Sequence, residues 1–127
     1  MSKDTLHSIG LLVLRVVAGA AMATHGFAKL FGGDMSGFAR GVGAMGFPAP
    51  LVFAWIAALA EFVGGFLVAV GLRTRVAAAF VFIDMSVAAF VRHAHDAFAV
   101  RELALLYWAA MAALMLIGGG RFSLDRA

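Results

Sequence analysis

The chain has 127 residues, of which 64% are hydrophobic and 13% charged, with a formal net charge of +3, no cysteine and a mean hydropathy of +0.99. A soluble domain is about 45–50% apolar and about 25% charged, and a small one must cover a large surface with polar groups; ten Lys/Arg and seven Asp/Glu are too few for that. This excludes an ordinary soluble domain and a disordered tail. It also excludes a nucleic-acid-binding module despite the pI near 10.2, because the cations are dispersed. Without cysteine there is no disulfide framework, thiol nucleophile or Cys-ligated metal. The expectation is a single all-α domain over residues 1–127, an integral membrane four-helix bundle.

A membrane-crossing helix needs about 17–25 mostly apolar residues. Four stretches qualify, at about 8–30, 50–72, 76–91 and 102–118. Lys3, the apolar run Ile9–Ala20 and Ala21-Met22-Ala23 resemble a cleaved leader, but Arg15 inside the apolar run and Asp4 and His7 before it favour a retained span. The loop after the first span is long and glycine-rich. In it Asp34 is placed to N-cap a short helix with an apolar face of Met35, Phe38, Val42 and Met45, and Gly46 fits the C′ position before Pro48. Such a helix would lie at the membrane interface as a connector or a lid. The turn Leu72-Arg73-Thr74-Arg75 is so short that spans two and three must be antiparallel neighbours. Trp55, Tyr107 and Trp108 lie near span ends, as in an aromatic belt.

An even number of spans puts both termini on one side, with Lys3, Arg73, Arg75, Arg121 and Arg126. The other side holds Lys29, Arg40, Arg92 and Arg101. The excess of one, with two of the cations in a short turn, places the termini in the cytoplasm.

Helical spacing assigns the faces. Span one carries a stripe of Arg15, Gly19, Met22, Gly26 and Lys29. Span two carries Ala54, Ala57, Ala58, Glu61, Gly64, Gly65 and Val68, and span three Ala77, Phe80, Asp84, Ala88 and Val91. Small faces let helices approach closely in lipid. At about 1.5 Å per residue from the near-side ends, Arg15 lies roughly 10 Å deep, Asp84 roughly 13 Å and Glu61 roughly 16 Å. Intramembrane ionisable groups pair or line cavities. Arg15, Glu61 and Asp84 are therefore expected to form one buried cluster of net charge minus one, holding one proton. A proton or ligand site and a clamp fixing helix register remain alternatives.

A second polar set lies on the far side: His25 and Lys29 at the end of span one, and His93, His95 and Glu102, with Asp96, around the third loop. In an extended loop His93 and His95 would point the same way, suiting hydrogen bonding or proton transfer. The spacing is not that of a metal site, and none is assigned. There is no G-x-G-x-x-G, P-loop or Ser/His/Asp signal.

The same residues carry a family resemblance. His25-Gly26-Phe27-Ala28-Lys29-Leu30-Phe31-Gly32 closes span one, and Gly46-Phe47-Pro48-Ala49-Pro50 opens span two. Glu61-Phe62-Val63-Gly64-Gly65 lies within it and Gly71-Leu72-Arg73-Thr74-Arg75 ends it, while Gly118-Gly119-Gly120-Arg121-Phe122-Ser123-Leu124-Asp125 closes the chain. In order and content this resembles the DoxX family of small four-helix bacterial membrane proteins, with a departure at Gly119, where the family often has proline. The resemblance implies a multi-pass protein of the bacterial cytoplasmic (inner) membrane, and an accessory role in a redox-linked complex handling quinones or thiol stress. Such a role implies no covalent cofactor; the redox group would be a diffusible quinone or belong to a partner. The partners expected are membrane lipid and either further copies of the chain or a membrane or peripheral redox protein. Two alternatives stand beside this: a non-catalytic scaffold docking an enzyme through its loops, and a small proton-coupled transporter or channel.

Overall fold

The computed structural model describes residues 1–125; Arg126, counted above with the terminal-side cations, lies outside the described residues. Five helices and no strand are present among them. α1 is Lys3–Phe31, α2 is Met35–Ala44, α3 is Pro50–Val70, α4 is Thr74–Arg92 and α5 is Phe98–Ile117. All but α2 are long and apolar enough to cross a membrane, and Val17, Phe66, Ile83 and Leu106 are each about 60% exposed. Side chains of this kind turned outward all round the bundle face lipid rather than water. The chain is a membrane helical bundle.

Local chemistry sets the helix ends. Ser2 caps α1 by accepting from the Thr5 amide at 3.1 Å. α2 carries the expected apolar face: Met35, Phe38, Val42 and Met45 pack with Ala39 and Ala54. Gly46, at φ +95°, follows its C-cap Met45. Asp34 occupies the N-cap position, but its side chain makes no capping bond. Pro50 starts α3, where its missing N–H costs nothing. α3 ends in a Schellman turn, with Gly71 at φ +75°, its amide on Val68 O and the Leu72 amide on Leu67 O.

The helices run antiparallel in sequence order. α1 packs chiefly on α3, α3 on α4 and α4 on α5, and α5 closes on α1 with fewer contacts. Glycine makes the closest crossings possible: Gly19 faces Gly65 and Ala69, and Gly26 faces the Glu61–Phe62 backbone, where a Cβ would collide with main chain. The core is Leu11, Met22, Val68, Ala78, Val81, Met85, Met111 and Leu114, with Ala77 beside them.

The face expected for the third span is corrected by about one residue. The buried positions of α4 are Thr74, Ala77, Ala78, Val81, Met85 and Ala89. Phe80 and Val91 are exposed, and Asp84 and Ala88 are half-buried. α4 meets neighbours on two sides, α3 and α5, so its buried arc is wider than a single stripe. Both α3 and α4 widen into a π-helical turn, at Ala60–Gly64 and Ala88–Arg92.

Both ends of the chain meet at one end of the bundle. The Arg121 amide donates to Ser8 Oγ and the Arg121 guanidinium to Thr5 Oγ1. The Asp125 amide donates to Gly71 O at 2.7 Å. We call this the terminal end; α2, Lys29 and the 93–97 loop occupy the opposite one.

Candidate functional site

The expected cluster of Arg15 with Glu61 and Asp84 does not form. Arg15 sits opposite Ala69 and the C-terminal segment: its guanidinium donates to Gly119 O and Phe122 O at 2.8 Å each and to Ala69 O at 3.4 Å. Glu61 lies at the level of Gly26, eleven residues and so roughly 16 Å further along α1. The depth estimate failed because it set the near-side surface at Ser8 on α1. Segment 118–125 folds inward over that end and meets Arg15 there. Arg15, 2% exposed, donates to main-chain carbonyls, and the carboxylate near it is Asp125, not Glu61 or Asp84.

The cation at Glu61 is Lys29. Its Nζ lies 2.6 Å from both Oε1 and Oε2. The Glu61 side chain is 3% exposed and that of Lys29 29% exposed, so the pair joins a buried carboxylate to a partly open ammonium. Asp84, from α4, lines the same cleft as Glu61. Its Oδ2 is buried and has no hydrogen-bond partner. Glu61 stands on the π-helical turn of α3 and Arg92 on that of α4. Such turns are frequent at functional sites.

These groups line a cleft of about 260 Å³ between α2, α3 and α4. Its polar members are Lys29, Glu61, Asp84 and Arg92; its walls include Phe38, Phe53, Ile56, Phe80 and Ile83. Of these, Ile56, Phe80 and Ile83 are more than half exposed, so the cleft opens sideways between α3 and α4, where lipid would stand. α2 covers its end: the Phe38 ring lies 4.8 Å from Lys29 Nζ and 5.6 Å from the Arg92 guanidinium carbon. A second, more polar hollow of about 390 Å³ lies outside Lys29, with His25, Asp34, Phe38 and Arg92 in its wall.

The far-side set of His25, Lys29, His93, His95 and Glu102 is not brought together. Lys29 turns inward to Glu61, and His25 packs edge-on against the Tyr107 ring at 5.7 Å. His93 Nδ1 pairs with Asp96 Oδ2 at 2.7 Å. The third loop is a tight turn, with the Asp96 amide on His93 O, not the extended strand that would align His93 with His95; His95 and Glu102 are exposed. No three His, Asp or Glu side chains converge as metal ligands among the described residues. Trp108 donates from Nε1 to Ser86 Oγ at 3.0 Å, a tie between α5 and α4.

Sequence reasoning named Phe38 and Phe80 as apolar-face residues and Arg92 as a far-side cation, but gave none of them a place in the site. A cation one turn beyond Ala88 on the Asp84 helix was a usable signal for Arg92. For the walls the signal was partial: Phe80 shares the Asp84 stripe and Phe38 the apolar face of α2, while an outward Phe53 on a membrane helix is ordinary.

At the terminal end, Asp125 bridges the α3–α4 turn. Its Oδ1 accepts from the Arg73 amide at 2.5 Å and its Oδ2 from the Thr74 amide at 3.0 Å. Partial burial works against its charge, but bonds from Thr74 and Arg73 and the nearby Arg15 charge prevail and hold its carboxyl below the usual range. This stabilises Arg73, a non-glycine residue at φ +52°.

No curated protein and no solved structure matches the chain. Against models of known families, residues 10–94 match DoxX, a span that contains Arg15, Lys29, α2, both π-helical turns and every residue of the cleft. The chain belongs to the DoxX family.

Proposed function

We propose that this protein is an accessory subunit of a redox-linked complex of the bacterial inner membrane, with both termini cytoplasmic, and that the cleft at Glu61 and Asp84 binds a quinone headgroup. The observation that carries this is a pair of adjacent acids with one intimate cation, at the base of an apolar cleft open to the bilayer. A space of about 260 Å³ is below the size of most whole-ligand sites, about 300–1,000 Å³. It suits a ring whose apolar tail runs out past Phe80 and Ile83 into lipid.

The donor set fits such a ring. Lys29 can donate to a carbonyl oxygen, and the unpartnered Asp84 Oδ2 can accept from a hydroxyl. A bound quinone would supply two-electron, two-proton chemistry, with the electrons exchanged with a partner subunit. The chain's own residues orient the ring and handle protons. With Lys29 neutralising one carboxylate, one proton shared by Glu61 and Asp84 leaves these three inner groups uncharged together, which low dielectric favours; Arg92, the cleft's other cation, is exposed. That proton is what the pair can give or take as the ring changes oxidation state. The aromatic walls and α2 keep bulk water from the acids.

Quinone retained through mild detergent extraction, and lost on Glu61→Gln with the fold intact by circular dichroism, is the expected result. Equal quinone content in both proteins contradicts the reading.

A further inference from the structure

The cleft and the polar hollow outside it meet at three shared residues, Lys29, Phe38 and Arg92. One opening is apolar and faces lipid between α3 and α4. The other is polar, carries His25 and Asp34, and faces the end of the bundle away from both termini. At this junction the Lys29 ammonium touches both Glu61 oxygens while its side chain, 29% exposed, also lines the hollow, with Phe38 and Arg92 beside it. Towards the terminal end the described residues pack closely: below Glu61, α3 meets α1 through Gly65 and Ala69 against Gly19, and Val68 lies in the core.

We propose that the acid pair exchanges its proton with water through this hollow alone, so that the site takes an apolar substrate from the membrane and releases or takes its protons at the face opposite the termini. This rests on the reading of Glu61 and Asp84 as a proton-holding pair. Lys29 is the positioning residue at the junction: swinging from Glu61 into the hollow, it would exchange carboxylate for water and carry the hydrogen-bond connection outward. Phe38 is the hydrophobic plug beside it. Among the described residues, the charged groups lining the cleft with the pair are Lys29 from α1 and Arg92 from α4, and Tyr107 from α5 lies against the His25 ring. His25 and Asp34 stand further out at the mouth. The arrangement makes any redox turnover here vectorial with respect to protons, because ligand and proton use different doors.

The test uses the full chain in liposomes, with dicyclohexylcarbodiimide as probe. This reagent dissolves in the bilayer and adds to a protonated carboxyl, and the adduct rearranges to a stable N-acylurea read by mass spectrometry. Vesicles of known orientation, scored by whether an impermeant amine reagent reaches the exposed Lys3, are given different pH inside and out. Labelling of Glu61 or Asp84 is expected to follow the pH on the α2 side and ignore the pH on the terminal side. Phe38→Ala is expected to speed the response to α2-side pH without changing which side is sensed, and Lys29→Met to slow it. If Lys29→Met does not fold, the Phe38→Ala comparison decides. Labelling that follows the terminal-side pH, or both sides equally, overturns this inference while leaving a proton-holding pair in place. No labelling at any pH overturns both.

Discussion

Lys29 reaches from α1 to place its ammonium 2.6 Å from both oxygens of Glu61 on α3, across the crossing where Gly26 lets the two backbones touch. The pair thus depends on the close approach, and the approach encloses the pair. Glu61 is thereby buried with its charge answered, while Asp84 beside it is left with an unpartnered oxygen.

Removing one member of this pair leaves a charge in an apolar layer. Lys29→Met is expected to cost about 2–4 kcal/mol, towards the lower end of the range for buried pairs because the ammonium is partly open. Adding Glu61→Gln should restore much of the loss, with a coupling of about 1–3 kcal/mol. Thermal unfolding of the four proteins of the cycle in one detergent reads it; additive losses would mean that the contact contributes nothing.

The glycine crossings predict a sharp positional contrast. Gly26→Ala drives a Cβ into the backbone at Phe62, and Gly19→Ala into that at Ala69 and Gly65, whereas nothing lies near Gly10. Each of the first two should destabilise by about 1–3 kcal/mol or more as over-packing, and Gly26→Ala should also weaken the Lys29–Glu61 contact. Gly10→Ala should be neutral or mildly stabilising, since alanine is the better helix former. Melting temperatures check all three.

Arg15 predicts the behaviour of the C-terminal segment. Arg15→Met removes the donors to Gly119, Phe122 and Ala69 and should cost about 1–3 kcal/mol in orphaned carbonyls. Arg15→Lys should rescue little, because one ammonium cannot span the three acceptors that a guanidinium fork reaches. Hydrogen exchange should show residues 119–125 losing protection in both, with the Glu61 region unchanged. Loss at Glu61 instead would restore the cluster that the spacing suggested.

Acid should open the same latch. The Asp125 carboxyl is held below its usual range in the folded protein, so its contribution is fully present above the unfolded value near 3.9 and is lost as pH falls through the lower folded value. Protection of the Thr74 amide should fall across that acidic window, and Asp125→Asn should show the weakened state already at neutral pH. A Thr74 amide indifferent to both changes would contradict the assignment.

Much of this fold was legible in the residues. Apolar runs of bilayer length gave four spans, Gly46 marked the end of α2, and the Arg15, Gly19, Met22 and Gly26 stripe is the buried face of α1. Glu61 with Gly64 and Gly65 likewise named the inner face of α3. The charge partners were not legible, because depth along a helix is measured from a surface that the sequence does not mark. A segment of eight residues folding back on the terminal end supplied Arg15 with carbonyls, and Lys29, on the inner stripe of span one but grouped with the far-side set, paired with Glu61. The π-helical turns carrying Glu61 and Arg92 are confined to single turns within continuous apolar runs, so hydrophobic spacing does not mark them.

The central claim is that the cleft at Glu61 and Asp84 holds a quinone headgroup entering from lipid. Photolabelling of the purified protein in lipid with an azidoquinone tests it most directly. The account predicts crosslinks confined to the cleft walls around Phe38, Phe53, Phe80 and Ile83, displaced by excess unmodified quinone and strongly reduced in Asp84→Asn. Crosslinks spread over the lipid-facing surface, undiminished by competitor or by that substitution, would contradict it.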